Sequence, residues 1–355
     1  MYNNFLYLNQ IMNKILVTGG TGYIGSHTAV ELINEGFEVV IVDNLSNSKI
    51  DALCGIEKIT GIRPVFEQFD LCDKGKTEAF LKTHPDIAAI IHFAAYKAVG
   101  ESVEQPLKYY HNNLASLINL LELMQQYSIP SMVFSSSCTV YGQPEKLPVT
   151  EDAPVQPATS PYGNTKQISE DIIRDTVAAS DNVKCVALRY FNPIGAHASA
   201  LIGELPVGIP NNLVPFITQT AIGIREQLSV FGNDYNTPDG SCIRDYIHVV
   251  DLAKAHVTAV RRLIENKNKK KFEMFNLGTG RGVSVLELVN VFEKVTGVKL
   301  NYKITGRRSG DTEQVWADTN YANKELGWKA QSTLEETLKS AWDWEKNLMV
   351  SAKKL

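Results

Sequence analysis

The feature that most constrains this chain is a glycine loop, Gly19-Gly20-Thr21-Gly22-Tyr23-Ile24-Gly25, set directly after the apolar run Ile15-Leu16-Val17 and ahead of a helical pattern from Ser26. Gly-rich turns are common, and the order strand, loop, helix is what gives this one weight. Gly19 permits the tight turn, Gly22 lets a pyrophosphate approach the backbone, and Gly25 packs the helix closely while its free amides face the phosphate, with Tyr23 and Ile24 in the same cradle. A second apolar run, Glu38–Val42, ends at Asp43, close to the roughly 20-residue offset at which such a cradle finds its ribose-binding carboxylate. Asp43 can accept both adenosine ribose hydroxyls and repels a 2′-phosphate, so NAD is expected over NADP. The competing reading is a strand-ending Asp in the turn Asp43-Asn44. Asn44 is placed with the cofactor residues, and Asp70-Leu71, after a third run, are placed to cradle adenine.

The rest of the chain repeats the alternation. Pro64-Val65-Phe66, Ala88–Phe93, Met132-Val133-Phe134 and Cys185–Leu188 are continuous apolar runs, as parallel strands covered on both faces require. Helix-length segments lie between them. In one, Leu107–Tyr127, the residues Leu107, Tyr110, Leu114, Leu117, Leu121 and Met124 recur at three or four positions, and another is Ser26–Glu35. The expected fold class is α/β, a doubly wound parallel Rossmann sheet over residues 13–192. After Asn192, loops rich in Gly, Pro and Asn (Gly203–Asn212, Gly232–Gly240) interrupt helical patterns near Leu213–Arg225, Val249–Glu265 and Val285–Val295. This reads as a smaller C-terminal α/β lobe over 193–355. Phe272–Leu277 has strand character, so part of 240–280 is expected to return to the first domain. Residues 1–12 read as an extension, with Met12 an alternative start, and Lys267–Lys271 as a solvated loop in preference to a basic docking patch.

A second constellation joins Ser135-Ser136-Ser137, at the end of Met132-Val133-Phe134, to Tyr162-Gly163-Asn164-Thr165-Lys166. Ile168, Ile172 and Ile173 have helical spacing, so Tyr162 and Lys166, four residues apart, share one helix face. Tyr and Lys at this spacing also arise by chance. A serine at a strand end and the upstream cradle turn the pair into a candidate site, with Ser137, Tyr162 and Lys166 as its catalytic set. A phenol with a pKa of about 10 is a poor base at neutral pH, and bringing it to ~7 takes about 4 kcal/mol of differential stabilisation of the phenolate. The Lys166 ammonium and an oxidised nicotinamide would supply positive charge for that purpose, and Ser137 would hydrogen-bond the same substrate oxygen.

The Gly-x-x-Gly-x-x-Gly loop, the Tyr-x-x-x-Lys pair and the upstream Ser together resemble the extended short-chain dehydrogenase/reductase family. Within it, Thr18–His27, His92–Ser102, Tyr190–His197, Asn211-Asn212-Leu213 and Arg244–His248 are similar to the UDP-galactose (UDP-glucose) 4-epimerase family, over a span from about Asn13 to the C-terminal region. The departures are Ala95-Tyr96 in place of Gly-Leu, Cys138 where Ala is frequent, and the opening residues, which have no counterpart. The resemblance implies that Phe93, Ala94, Lys97 and Asn112 line the cofactor together with Tyr162 and Lys166, and that Tyr190 adjoins the nicotinamide. It implies that Ser137, Asn192, Asn212, Phe231, Arg244, Arg308 and Asp311 hold a UDP-sugar, the two arginines offering the forked donors a diphosphate needs. The implied reaction is NAD-dependent interconversion of UDP-glucose and UDP-galactose: C4 yields its hydride to a resident NAD, the 4-keto sugar rotates, and hydride returns to the other face. Val315 matches the position bordering the sugar C2 substituent, and its small size implies that UDP-N-acetylglucosamine and UDP-N-acetylgalactosamine are admitted as well.

Two other readings stay open. A nucleotide-sugar 4,6-dehydratase of the same family has an acidic pair after a Thr at the Ser137 position, where this chain has Cys138-Thr139. A non-catalytic dinucleotide-sensing regulator would keep the cradle with no need for Ser137, Tyr162 and Lys166 together. Other classes are excluded by composition. Among 355 residues, 35 Lys+Arg stand against 39 Asp+Glu, a formal charge of −4 that offers no general attraction to nucleic acid or an anionic membrane. No apolar run approaches the ~18 residues that span a bilayer, and no His or Cys cluster has metal-ligand spacing. The 5 cysteines are odd in number and lack a C-x-x-C pair, which fits reduced thiols in a cytoplasmic enzyme. No secretory signal is expected at the start. Leu107–Tyr127 and Tyr162–Val177 are candidates for the four-helix seam of a homodimer, unless their apolar stripes face the sheet instead.

Overall fold

The computed structural model describes residues 13–308 and 312–352. The first half runs β1 (Lys14–Thr18), α1 (Tyr23–Asn34), β2 (Glu38–Asp43), α2 (Asp51–Thr60), β3 (Val65–Gln68), α3 (Lys74–Thr83), β4 (Ile87–His92), α4 (Val99–Glu104), α5 (Pro106–Gln126), β5 (Ser131–Ser137), α6 (Pro161–Ala179) and β6 (Lys184–Tyr190). The second half runs β7 (Asn192–Ile194), α7 (Leu213–Ala221), β8 (Leu228–Phe231), β9 (Ile243–Arg244), β10 (Tyr246–His248), α8 (Val249–Ile264), β11 (Phe272–Leu277), β12 (Val283–Ser284), α9 (Val285–Thr296), β13 (Tyr302–Thr305), β14 (Gln314–Val315) and α10 (Leu334–Ala352).

Seven strands form one parallel sheet in the order β11-β6-β5-β4-β1-β2-β3. The apolar runs are continuous because both faces are buried, and alternation divides each run between two cores. Ile15 and Val17 of β1 join Ala29, Leu53 and Val260 on one side, whereas Leu16 joins Leu117, Leu121 and Ile173 on the other. Helix α8 and strand β11 follow the second-lobe segment in the chain but belong to this layer: α8 contributes Leu252, Ala255 and Val260 to the first core, and β11 pairs with β6. A third core unites Val214 and Ile217 of α7, Leu288 and Phe292 of α9, and Leu338 and Trp342 of α10. Small sheets edge this lobe: β7 with β10, β8 with β13, and β9 between β12 and β14.

Helix ends differ from the spacing-based expectation where local turn chemistry intervenes. Helix α1 opens at Tyr23, ahead of Ser26, since Gly22 (φ −71°, ψ 174°) is already its extended N-cap residue. Helix α7 stops at Ala221, short of Arg225, and the amides of Ile224 and Arg225 both turn back to the Gln219 carbonyl. In α5 the stripe divides: Leu117, Leu121 and Met124 are buried against the sheet, but Leu107 is 81% exposed. Among the described residues no helix is long and apolar enough to cross a membrane. The five cysteines are free thiols.

Candidate active site

The carboxyl ends of β1 and β4 part at the point where the strand order reverses, the usual ligand crevice of an open α/β sheet. Here it widens into a cleft of about 1740 Å³ that runs on into the second lobe. Its first wall is the glycine loop. Gly19 has φ +71°, and a Cβ there would stand 2.8 Å from the Ala94 amide nitrogen, so the loop and the segment after β4 meet backbone to backbone. A Cβ on Gly25 would lie 2.3 Å from the Gly19 carbonyl oxygen, whereas one on Gly22 would meet only that oxygen, at 3.1 Å, and otherwise project into open space. Gly22 thus leaves its surroundings bare at the N-terminus of α1, as a phosphate-binding turn must. Tyr23, the first residue of α1, donates from its hydroxyl to the Gly195 carbonyl (2.6 Å) and ties this wall to the second lobe. Ile24 lines the cleft beside it.

At the end of β2, Asp43 accepts from the Thr21 amide (3.2 Å) through Oδ2, and from the Leu45 amide (2.9 Å) and Ser48 Oγ (3.1 Å) through Oδ1. A carboxylate offers about four acceptor positions. Three are engaged by the protein, so of the two ribose hydroxyls expected there, one finds an open position and the second must replace a donor such as Ser48. Asn44 donates to Asp70 Oδ2 (3.1 Å), which joins the two loops that end β2 and β3, and Leu71 is buried beneath them. Phe93 stacks 4.6 Å from His256 at a tilt, and Asn112, on α5, lines the cleft nearby.

Deeper in the cleft, the end of β5 meets the N-terminus of α6. Ser160 caps that helix by accepting from the Gly163 amide (3.1 Å), with Pro161 in its first turn, so the start of the helix and the orientation of Tyr162 are set locally. Ser137, Tyr162 and Lys166 are all buried. Burial, followed by the neighbouring Tyr190, pushes the Tyr162 phenol well above the ordinary tyrosine range, and the Ser137 hydroxyl draws it back. Burial lowers the Lys166 ammonium to about 8, with the Glu170 charge opposing. The shared helix face does not bring ammonium and phenol into a direct bond: Lys166 Nζ donates to the Ser135 carbonyl (2.7 Å), the buried acceptor in front of it, and lies 4.8 Å from the Phe134 ring centre. Tyr190 hydrogen-bonds Ser135 Oγ through its hydroxyl (2.7 Å), and burial pushes it up to about 12.

The far wall belongs to the second lobe. Asn192 opens β7, and its amide donates to the Asp245 carbonyl (2.9 Å). Arg244, in β9, donates to the Ile243 carbonyl (2.8 Å), and the Arg308 guanidinium lies 5.5 Å from the centre of the Phe231 ring. Val315 is 8% exposed and packs with Val140, Tyr141, Phe191 and Ala317 while lining the cleft. The cleft gathers each of the expected site residues except Asp311, which lies outside the described residues.

Two acidic residues have site roles that spacing does not signal. Asn212 is the N-cap of α7, yet its side chain does not cap; it donates to Glu204 Oε1 (2.5 Å), which also lies 3.6 Å from Lys97 Nζ. Glu204 thereby links the wall after β4 to the start of α7. Asp245 is buried and accepts from the Thr279 amide (2.8 Å) and hydroxyl (2.7 Å), the Gly280 amide (3.1 Å) and the Ala317 amide (3.2 Å), which fixes the backbone that carries Arg244. Burial raises its carboxyl above the usual range against those bonds. Asp245 stands next to a recognisable Arg, but its partners lie far along the chain.

A family model described as GDP-mannose 4,6 dehydratase matches residues 16–341. The chain is 53% identical over 331 residues to a UDP-glucose 4-epimerase of Bacillus subtilis, covering 93% of this chain and 96% of that protein. The crystal structure of a UDP-glucose 4-epimerase from Stenotrophomonas maltophila with bound NAD and formylated UDP-arabinopyranose superposes with a TM-score of 0.92 at 47% identity, over 96% of this chain and 99% of that one. The UDP-Glc/GlcNAc 4-epimerase of Campylobacter jejuni gives a TM-score of 0.80 at 36% identity, over 94% and 99%.

Proposed function

The chain belongs to the UDP-glucose 4-epimerases, within the wider family matched by the 4,6-dehydratase model, and from that membership we propose that its C4 epimerisation of UDP-glucose and UDP-galactose is carried by Tyr162, Lys166 and Ser137. The single observation that supports this assignment is the burial of all three at the carboxyl end of β5, in the same cleft as the glycine loop. The residues fit NAD: the bare surroundings of Gly22 suit its pyrophosphate, and Asp43 suits its adenosine ribose. When bound, NAD takes the C4 hydride and returns it to the opposite face of the sugar.

Tyr162 removes the proton of the C4 hydroxyl and gives it back after the keto sugar has rotated, so the proton account closes within the site. Its phenol, raised by burial, has to be brought down in the loaded enzyme, and Lys166 contributes by charge rather than by a direct bond. Ser137 steadies the same oxygen. Arg244 and Arg308 clamp the diphosphate with Asn192, Asn212 and Phe231 around it, which leaves the hexose free to turn between them. The dehydratase reading fails where it needs an acid and a base after Ser137: Cys138 is pushed up to about 12 by burial, and Thr139 does not ionise. Purified protein incubated with UDP-galactose and no added NAD should yield UDP-glucose, and Tyr162→Phe should abolish most turnover while retaining NAD. Stoichiometric free NADH, or an unchanged rate in the variant, would refute the assignment.

Three finer readings accompany this one. At the position the resemblance sets beside the sugar C2 substituent, the small Val315 leaves room for an acetamido group, so the N-acetylated pair of UDP-sugars also fits; the Campylobacter relative, whose name records both sugars, supports this. The exposed Leu107 and Ile118 on α5, one of the two helices expected at a homodimer seam, support such a seam. Five free thiols suit a reducing, cytoplasmic setting.

A further inference from the structure

Behind the site serines lies a buried ion pair that the chemistry above does not use. Alternation along β5 turns the side chain of Ser136 to the face opposite Ser135 and Ser137. Ser136 Oγ donates to Glu170 Oε1 (2.6 Å), and Arg189 of β6 grips both carboxylate oxygens, Nε to Oε1 at 2.9 Å and Nη2 to Oε2 at 2.5 Å. Arg189 Nη1 donates in turn to the Tyr141 hydroxyl (2.9 Å), which donates to Asn276 Oδ1 (2.7 Å) on β11. Both charged side chains are 3% exposed. Removing such a pair from water is costly, and good geometry does little more than recover that cost, so stability alone is a weak account of it.

Its location supplies a better one. Glu170 stands one helical turn beyond Lys166 and two beyond Tyr162 on α6. Its partner Ser136 sits between Ser135, whose carbonyl holds the Lys166 ammonium, and Ser137. We propose that Glu170 is a positioning residue for the acid/base pair: through Ser136 it fixes the end of β5 against α6, and its carboxylate is the counter-charge that keeps the buried Lys166 a cation. This rests on the reading of Tyr162 and Lys166 given above.

The surrounding titratable groups leave that role to Glu170. Burial drives His92 on β4 to about 3, and it pushes Tyr141 after β5 and Tyr190 on β6 up to about 12. Cys138 is likewise pushed up to about 12, and burial raises Tyr109 on α5 and Tyr162 itself above the ordinary tyrosine range. These groups are uncharged at neutral pH. Arg189 stays cationic, clasped to Glu170. Lys166, at about 8, is the group whose charge is in the balance, and Glu170 opposes its loss.

The test is the pH dependence of kcat for epimerisation by the full-length protein, in wild type, Glu170→Gln and Lys166→Met. An opposite charge on the adjoining turn of the same helix contributes on the order of one pH unit. Glu170→Gln should therefore bring the alkaline fall of kcat down by about one unit, because Lys166 then loses its proton at lower pH, with KM for UDP-galactose nearly unchanged. Lys166→Met, which lacks the cation at every pH, should instead move the acid limb upward. A merely structural loss would scale the profile without displacing it. The single variant leaves Arg189 buried without its counter-charge; if it does not fold, Glu170→Gln/Arg189→Met, with no charge orphaned, should displace the profile in the same direction by less, since the Arg189 charge is removed as well. A profile unmoved in the Glu170 variant while Lys166→Met moves overturns the proposal and leaves the reading of Lys166 standing. If neither moves, both fall.

Discussion

Gly22 and Gly25 make separable predictions, because an added methyl group meets different things at the two positions. At Gly25 the new Cβ would lie 2.3 Å from the Gly19 carbonyl oxygen and 2.8 Å from the Gly20 Cα, all backbone, so the loop itself must move. Overpacking of that kind costs about 1–3 kcal/mol, and Gly25→Ala should lower the melting temperature and lose the cofactor together. At Gly22 the backbone is extended at φ −71° and ψ 174°, open to any L-residue, and the Cβ meets one oxygen at 3.1 Å. The lost preference for Gly at an N-cap and the stiffening of the unfolded chain each amount to about 0.5–1 kcal/mol and oppose one another, and the Gly19 carbonyl has to give only slightly to the new methyl, so stability should fall far less than in Gly25→Ala. The methyl nevertheless holds a pyrophosphate away from the backbone. Losing one charge-assisted hydrogen bond costs about 1.5–3 kcal/mol, which weakens NAD binding roughly 10- to 150-fold. The assay is NAD content of the purified protein, from absorbance of the heat-denatured supernatant, alongside thermal melts. Gly22→Ala that keeps stoichiometric, tightly held NAD would refute the placement of the pyrophosphate, and Gly25→Ala that melts with wild type would refute the packing argument.

Three further outcomes are expected. Wild-type kcat/KM should be appreciable for both the plain and the N-acetylated UDP-sugar pairs, and Val315→Tyr should depress the N-acetylated pair selectively; negligible N-acetyl activity in wild type, or equal N-acetyl activity in both proteins, contradicts the role of this position. Leu107→Glu should shift sedimentation from dimer to monomer, and a wild-type monomer would dispose of the seam. His27, His92 and His256 are driven by burial to about 3, about 3 and about 4, below the unfolded value of about 6.5, so the unfolded state binds more protons as pH falls through 6.5. Stability present at pH 7.5 is lost progressively below 6.5, by about 1.4 kcal/mol per histidine at pH 5.5; a urea midpoint no lower at pH 5.5 than at 7.5 would contradict their neutral burial.

The parallel sheet is legible in the sequence because its signals are local. Runs such as Ile15-Leu16-Val17 and Met132-Val133-Phe134 carry their own burial on both faces, and the glycine loop can be read within seven residues. The second lobe is less legible because its strands are two to four residues long and paired at a distance: β14 (Gln314–Val315) lies beside β9 (Ile243–Arg244), and β13 beside β8. No periodicity fits in so short a segment. Leu107 marks a different limit, since its place in the apolar stripe of α5 is plain from spacing while the surface it faces is not.

The candidate site divides along the same line. Tyr162 and Lys166 stand out by their four-residue spacing, and Ser137 by its place at a strand end, and the structure gathers them in one cleft with the glycine loop. Glu170 occupies the next turn of the same helix, but a carboxylate on a helix is ordinarily a solvated one, and its importance depends on Arg189, Ser136 and Tyr141 arriving from three other segments. Spacing reports which side chains share a face; burial decides what charge they carry once there. Lys166 illustrates the difference. Read alone, it is a permanent cation beside a phenol, whereas buried between Ser135 and Phe134 it keeps its proton only against a desolvation that brings it to about 8. The cation on which Tyr162 depends is thus a property of the packed core behind β5 as much as of the Tyr-x-x-x-Lys motif. A change in that core that touches neither residue should for this reason alter the pH at which the site works.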